Sequence, residues 1–218
     1  MTVRRSSGLD GARAALGTAV IIDVFRAFTT AAFCVAAGAR EVVLVGDHEH
    51  ALALKAADPS LFLTGEIGGR PIPGFDTGNS PSRIDGLDLS GRRVVQRTSA
   101  GTQGVLAAAA ASEVVLGSLV IAAATVRYLR GRAAISLVAM GTHAGDDHGE
   151  DEICAAYLEQ LLSDLAPAPP EIVLGPAEGW PEWFPRRDAE LALEVDRFDF
   201  ALPVTREDGL LIARPVFT

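Results

Sequence analysis

The chain has 218 residues, 49% of them hydrophobic, and a formal net charge of −9. That much apolar material supports one sizeable core and excludes a disordered chain. The acidic balance argues against nucleic acid or an anionic membrane surface as partner, while leaving local arginines free to hold a small anion.

Residues 1–17 read as a polar lead-in with no convincing signal peptide. Thr18–Val24 is a short buried strand that ends at Asp23, and a helix of small residues over Ala27–Ala37 follows, with Gly38 as its C-cap. Glu41–Val45 is a second strand, Asp47 caps a helix from His48 to Ala57, and Leu61–Thr64 is a third strand delivering Gly65 and Glu66. The Gly/Pro-rich stretch Gly65–Ile84 is long for a loop without structure of its own, which marks it as functional.

Arg93–Gln96, Glu113–Leu116 and Ile135–Ala139 are further strands. Helices are expected over Thr102–Ala111, from Gly117–Ser118 to Arg130, and over Glu150–Leu162. Gly104–Val126 is apolar, but Gly117–Ser118 breaks it, so no membrane span is expected. After a proline-rich linker at Pro167, Pro169 and Pro170, Ile172–Leu174 reads as a short strand and Asp188–Val195 as helical. Leu202–Val204 and Leu210–Ala213 form a hairpin around Asp208–Gly209.

Repeated strand–helix alternation predicts an α/β fold, a layered α/β/α arrangement with a largely parallel central sheet and a smaller, less regular C-terminal part. Residues 1–165 read as the main catalytic unit and 166–218 as an extension packed on it or completing it. Trp180, Trp183 and Phe184 in that extension suit either the interface of a homodimer or core beneath a loop.

In such sheets ligands bind beyond the carboxyl ends of the strands. Asp23 and Arg26 stand at one such end, either as a ligand site or as an ion pair that fixes the turn. Thr98, Gly101 and Thr102 form a hydroxyl-rich turn at a helix start, and Ser118 a second; each suits an anion or ordinary capping. In the long loop Glu66 is a candidate for Mg²⁺, with Asn79 and Ser80 for a phosphoryl oxygen. Asp146, Asp147, Glu150 and Asp151 give the last long helix an acidic entry, which serves equally as a helix-dipole match or as hard oxygen ligands. His143 and His148 lack zinc spacing. Cys34 and Cys154 are far apart, as buried thiols of a reduced, cytoplasmic protein are; Cys154 would be a nucleophile only if it faced a pocket at lowered pKa. No Walker loop or G-x-G-x-x-G follows a strand.

Six segments taken in order resemble the 2-phosphosulfolactate phosphatase family: Asp23-Val24-Phe25-Arg26-Ala27, Gly65-Glu66, Phe75-Asp76-Thr77-Gly78-Asn79-Ser80-Pro81, Thr98-Ser99-Ala100-Gly101-Thr102, Gly117-Ser118 and Glu150-Asp151-Glu152-Ile153-Cys154-Ala155. The resemblance implies an α/β fold and Mg²⁺-dependent hydrolysis of a small phosphorylated anion, 2-phosphosulfolactate, to sulfolactate and phosphate in coenzyme M biosynthesis. It implies Asp23 and Glu66 as the metal or nucleophile-positioning carboxylates, with Glu150 and Asp151 in support. Arg26 and Arg97 would hold phosphate or sulfonate, aided by Asn79, Ser80, Thr98, Gly101, Thr102 and Ser118. The Asp-x-Asp pair of haloacid-dehalogenase phosphatases is absent, since Phe25 stands two residues after Asp23. A non-catalytic protein that binds such an anion is the alternative.

Overall fold

The computed structural model describes residues 1–141, 149–176, 178 and 180–218. The chain opens with strand β1 (Thr2–Ser7) and helix α1 (Gly8–Ala14), followed by β2 (Thr18–Ile22), α2 (Ala27–Ala36), β3 (Glu41–Leu44), α3 (His48–Ala57) and β4 (Phe62–Ile67). The long loop carries the two-residue strands β5 (Arg70–Pro71) and β6 (Thr77–Gly78) and the single turn α4 (Pro81–Ile84). Then come β7 (Arg93–Arg97), α5 (Gly101–Ala107), β8 (Glu113–Gly117), a 3-10 turn at Leu119–Ile121, α6 (Ala122–Leu129), β9 (Ala134–Ala139) and α7 (Glu150–Leu162). The C-terminal part supplies α8 (Arg186–Ala192) and the hairpin β10 (Leu202–Glu207) and β11 (Leu210–Ala213).

The expected lead-in is in fact the edge of the sheet: β1 pairs in parallel with β9 from Thr2↔Ala134 to Ser7↔Ala139, and Ala12 of α1 is buried. Its sequence, TVRRSS, hides this because an edge strand with polar, half-open side chains shows no apolar alternation. Ile172–Leu174, expected as a strand, lies outside every strand. The helix expected from Ser118 starts only at Ala122, after the 3-10 turn.

The strands join in the order β1-β9-β2-β8-β10-β11-β3-β7-β4-β5, with β6 beside β4. β1, β9, β2 and β8 are mutually parallel, as are β3, β7 and β4. Between these halves sits the C-terminal hairpin, antiparallel to both neighbours. Its turn residues Asp208 and Gly209 both have positive φ, which matches the right-handed twist of two-residue hairpins. Three successive antiparallel pairings reverse the direction, so the two parallel halves run in opposite senses. Glu41 on β3 clamps the junction, accepting hydrogen bonds from Arg93 of β7 and, at 2.8 Å, from Arg214 just past β11.

Helix α2 is buried from Ala27 through Val35. It shares one apolar cluster with Ile21 of β2, Leu116 of β8, Leu202 and Leu211 of the hairpin, Val42 of β3 and Val94 of β7. The inner faces of both halves therefore meet on this one helix, and its small residues, Thr29, Thr30, Ala31 and Ala32, permit the close approach. On the outer face α6 and α7 cover the first half through Leu129, Cys154 and Leu158, while α3 covers the second through Ala51. The result is a large mixed, mostly parallel sheet flanked by helices. Among the described residues no helix is long and apolar enough to cross a membrane.

If the hairpin joins the halves, a cavity made in it loosens the whole molecule. Leu202→Ala should cost about 2–5 kcal/mol, and urea unfolding followed by circular dichroism and by tryptophan fluorescence should still give one coincident transition. Separate transitions from the two probes would show that the halves fold independently of the hairpin.

Candidate active site

Asp23 follows β2 directly, at its carboxyl end. One carboxylate oxygen accepts a 2.8 Å hydrogen bond from the backbone N–H of Ala27, at the start of α2, and the N–H of Gly101, at the start of α5, also donates to the group. A Cβ on residue 101 would lie 2.8 Å from the Asp23 oxygen and 2.7 Å from Ala27 Cβ, so the contact between the two helix starts is open only to glycine.

Asp151, in the first turn of α7, accepts a 2.6 Å hydrogen bond from the N–H of Val24, next to Asp23. Ser7 at the end of β1 donates to Glu152 and so ties the same turn to the sheet edge. Glu66, near the end of β4, accepts from Gly69 N–H at 2.6 Å, Ser99 N–H at 2.5 Å and Ser99 Oγ at 3.1 Å.

These side chains share one cavity of about 500 Å³, lined by Asp23, Glu66, Glu150 and Asp151 together with Arg26, Asn79, Ser99, Ala100 and Met140. Phe25, Trp183 and Phe184 close it from the apolar side. Burial pushes Asp23 up from its ordinary 3.8 to about 6, against the Ala27 N–H, and the charges of Glu150 and Glu66 add to the rise. Asp151 is raised well above its ordinary value by burial and by the charges of Asp23 and Glu150.

Arg26 lines the cavity but is already engaged. Its guanidinium bonds to Asp188 at 2.8 Å and to the Trp183 carbonyl at 2.9 Å, and it lies 4.2 Å from the centre of the Phe184 ring. Asp188, on α8 and fully buried, also accepts from Ser80 Oγ at 2.8 Å, Ser82 N–H at 3.0 Å and Ser82 Oγ at 2.5 Å. Of the two sequence readings of Arg26, the ion pair is therefore present, with Asp188 as its partner rather than Asp23.

The other expected residues divide. Asn79 lines the cavity, with Oδ1 3.4 Å from Gln96 Nε2. Ser80 instead points to Asp188. Arg97 holds backbone, donating to the carbonyls of Glu66 at 2.8 Å and Gly46 at 3.3 Å, and does not line the cavity. Thr98 and Thr102 are buried and close on each other, with Thr102 N–H donating to Thr98 Oγ1 at 3.0 Å and Thr98 N–H to Thr102 Oγ1 at 2.9 Å. Ser118 is buried against Thr29 Oγ1 at 2.7 Å. These three hydroxyls act in the capping and packing sense, away from the cavity. Cys154 is also buried and absent from the cavity wall; burial first, then the Asp151 charge, raises its thiol well above the ordinary value, the opposite of what a nucleophile needs. His143, Asp146, Asp147 and His148 lie outside the described residues.

Ser99, Asp188, Trp183 and Phe184 were not singled out as site residues from sequence. Ser99 sits inside a quoted motif; Asp188, far along the chain in an ordinary amphipathic stretch, carries no signal. Among the described residues no three His, Cys, Asp or Glu side chains are already gathered as a metal centre. The donor set nevertheless fits a hard cation: four carboxylates around one cavity, with Asp23 and Asp151 raised by burial and by the charges of neighbouring carboxylates.

The folded state holds the Asp23 proton more tightly than the unfolded chain does, so the stability it contributes is full below pH 3.8 and is lost as pH rises through about 6. In metal-free protein Asp23→Asn should be the more stable form above pH 6, by at most about 3 kcal/mol, and the gap should close below pH 4; a wild-type curve that gains on the variant as pH rises would refute the assignment. Asp188→Ala should cost about 3–5 kcal/mol in urea unfolding by stranding the buried Arg26 charge, and an effect below 1 kcal/mol would show that the pair does not hold the site together.

A family model described as 2-phosphosulpholactate phosphatase matches residues 7–173. A "Probable 2-phosphosulfolactate phosphatase" of Deinococcus radiodurans is 43% identical over 150 residues, covering 66% of this chain and 62% of that protein. Proteins of the same description from Bacillus subtilis and Thermus thermophilus are 35% identical over 144 residues and 37% over 154, covering 66% and 70% of this chain. The match spans 63% and 64% of their lengths, so each of the three relatives extends well beyond it. A match over most of the chain, including the turns that carry Asp23, Glu66 and Asp151, places the protein in the 2-phosphosulfolactate phosphatase family.

Proposed function

We propose that the protein is a Mg²⁺-dependent phosphatase acting on a phosphate ester of a small hydroxy acid, with 2-phosphosulfolactate as the reference substrate. The observation that carries this reading is the convergence of Asp23, Glu66, Glu150 and Asp151 on one cavity at strand ends, with Asp23 raised to about 6. Family membership and the names of the relatives support the reaction class.

In this reading Asp151, Glu150 and Glu66 hold the cation and Asp23 accepts the proton of the attacking water. Bound Mg²⁺ would supply the positive charge that phosphoryl transfer requires on the phosphate oxygens. The chain itself fixes the geometry. The N–H groups of Ala27 and Gly101 aim the Asp23 carboxylate, which fixes it as the proton acceptor of this reading. The N–H groups of Ser99 and Gly69 hold both oxygens of Glu66, which prevents it from turning away. Water attacks phosphorus, the ester P–O bond breaks, and the departing hydroxyl oxygen takes up a proton, giving hydroxy acid and inorganic phosphate. Asn79, also on the wall, would donate to a phosphoryl oxygen in this reading.

Phosphate release from 2-phosphosulfolactate, with Mg²⁺ and with chelator, tests the reading. Turnover should require the metal, and Asp23→Asn should lower kcat by about 10²–10⁴-fold, the usual worth of a positioned general base. Ligand-induced thermal stabilisation without any phosphate release would favour the binding-protein alternative.

A further inference from the structure

We infer that Gln96, on β7, is a positioning residue for the candidate active site. It fixes the side-chain amide of Asn79 so that the amide nitrogen faces the cavity, as a donor to a non-bridging phosphate oxygen; this rests on the phosphatase reading above and adds a residue to it.

Asn79 reaches the cavity on a backbone held from both sides. The short strand β6 pairs in parallel with β4, Thr64 Oγ1 donates to the Gly78 carbonyl at 2.9 Å, and Ser80 Oγ donates to Asp188 at 2.8 Å. Such packing does not settle the amide at the end of the side chain. Its oxygen and nitrogen are almost the same size, so a half-turn of the terminal torsion exchanges them at little steric cost, and the hydrogen-bond partner chooses between them. That partner is Gln96, which stands beside Thr64 across the β4–β7 pairing and is fully buried.

The choice runs back to a backbone group. Gln96 Nε2 donates to the Ala27 carbonyl at 2.7 Å, and a carbonyl can only accept, so the nitrogen of Gln96 must lie there. Its second N–H then meets Asn79, whose Oδ1 stands 3.4 Å away. A nitrogen in that place would set two donors against each other. Asn79 therefore turns its oxygen to Gln96 and its NH₂ to the other side, where the residue lines the cavity. Gln96 also sits at a cost. Val94, two residues earlier and on the same face of β7, belongs to the core, whereas Gln96 Oε1 is buried with no hydrogen-bond partner among the described residues. An apolar side chain would avoid that loss, so the amide is kept for what its nitrogen holds.

A double-mutant cycle tests this. Gln96→Glu keeps the shape but offers at most one donor, which the Ala27 carbonyl claims, so an oxygen faces Asn79 and its amide reverses. With Mg²⁺ and 2-phosphosulfolactate, Gln96→Glu should lower kcat/KM by about 10–100-fold, the usual worth of a hydrogen bond to a charged group, and mainly through KM. The Kd for inorganic phosphate, measured by calorimetry, should rise in proportion. In an Asn79→Ala background the same substitution should change either quantity by less than about 2-fold, whereas damage to the fold would lower both backgrounds alike. Gln96→Met, which has no donor, serves if Gln96→Glu does not fold. Equal losses in the two backgrounds, or no loss in a folded variant, overturn the inference while leaving the phosphatase reading intact. If the wild type releases no phosphate from the ester, the phosphatase reading fails and the calorimetric cycle decides Gln96: coupling to Asn79 supports it, and absence of coupling or of phosphate binding overturns it.

Discussion

Nine consecutive buried residues leave a helix no solvent face, and α2 is in that position from Ala27 to Val35. Something must cover it all round. The chain does so with a sheet whose two parallel halves run in opposite directions and whose inner faces both end on α2. In a flat sheet the carboxyl ends of two such halves would point to opposite edges. Curving around a common helix lets the end of β2, with Asp23, approach the ends of β4 and β7, with Glu66 and Ser99. The 2.7 Å hydrogen bond from Gln96 of β7 to the Ala27 carbonyl, and the closeness of Gly101 to Asp23, record that meeting. The C-terminal hairpin carries the reversal here, since its pairings to β8 and β3 fill the gap between the two halves and leave neither of those strands with an unpaired edge.

The site is electrostatically expensive for the same reason that it is well defined. Desolvated carboxylates from β2, β4 and α7 face one space, and their mutual repulsion and burial raise Asp23 and Asp151. Backbone N–H groups at helix starts offset part of this, which is why Asp23 is raised less than a buried carboxylate beside other charges otherwise would be. Arg26 does not relieve it, because Asp188 has neutralised that charge. The Arg26–Asp188 pair instead fastens α8 and the Ser80–Ser82 turn to the residues after β2, so the C-terminal part becomes one wall of the cavity.

Several hydroxyls that suited an anion by spacing serve the chain itself. Thr98 and Thr102 cap each other, and Ser118 pairs with Thr29 across the helix–sheet junction. A buried hydroxyl needs a partner, and in each case another residue of the chain supplies it. Arg97 is similar: its guanidinium is used on the carbonyls that end β4 and follow β3, which positions Glu66 without reaching the cavity.

What the sequence determined alone follows from local rules. The buried strand Thr18–Ile22 running into Asp23, the Asp47 cap whose carboxylate accepts from Glu49 N–H at 2.6 Å, and the hairpin turn at Asp208–Gly209 are all dictated by residues a few positions apart. So is the acidic start of α7, and the order of short motifs is enough to carry the family. What only the tertiary structure decided depends on partners distant in the chain. The polar residues of β1 become a strand because β9 offers an edge; Asp188 acquires its role because Arg26, 162 positions away, needs a counter-charge in a dry place. Local pattern can mark a carboxylate or a turn as a candidate, but whether it faces a cavity, a carbonyl or another hydroxyl is set by the packing that brings α2, α5, α7 and α8 together.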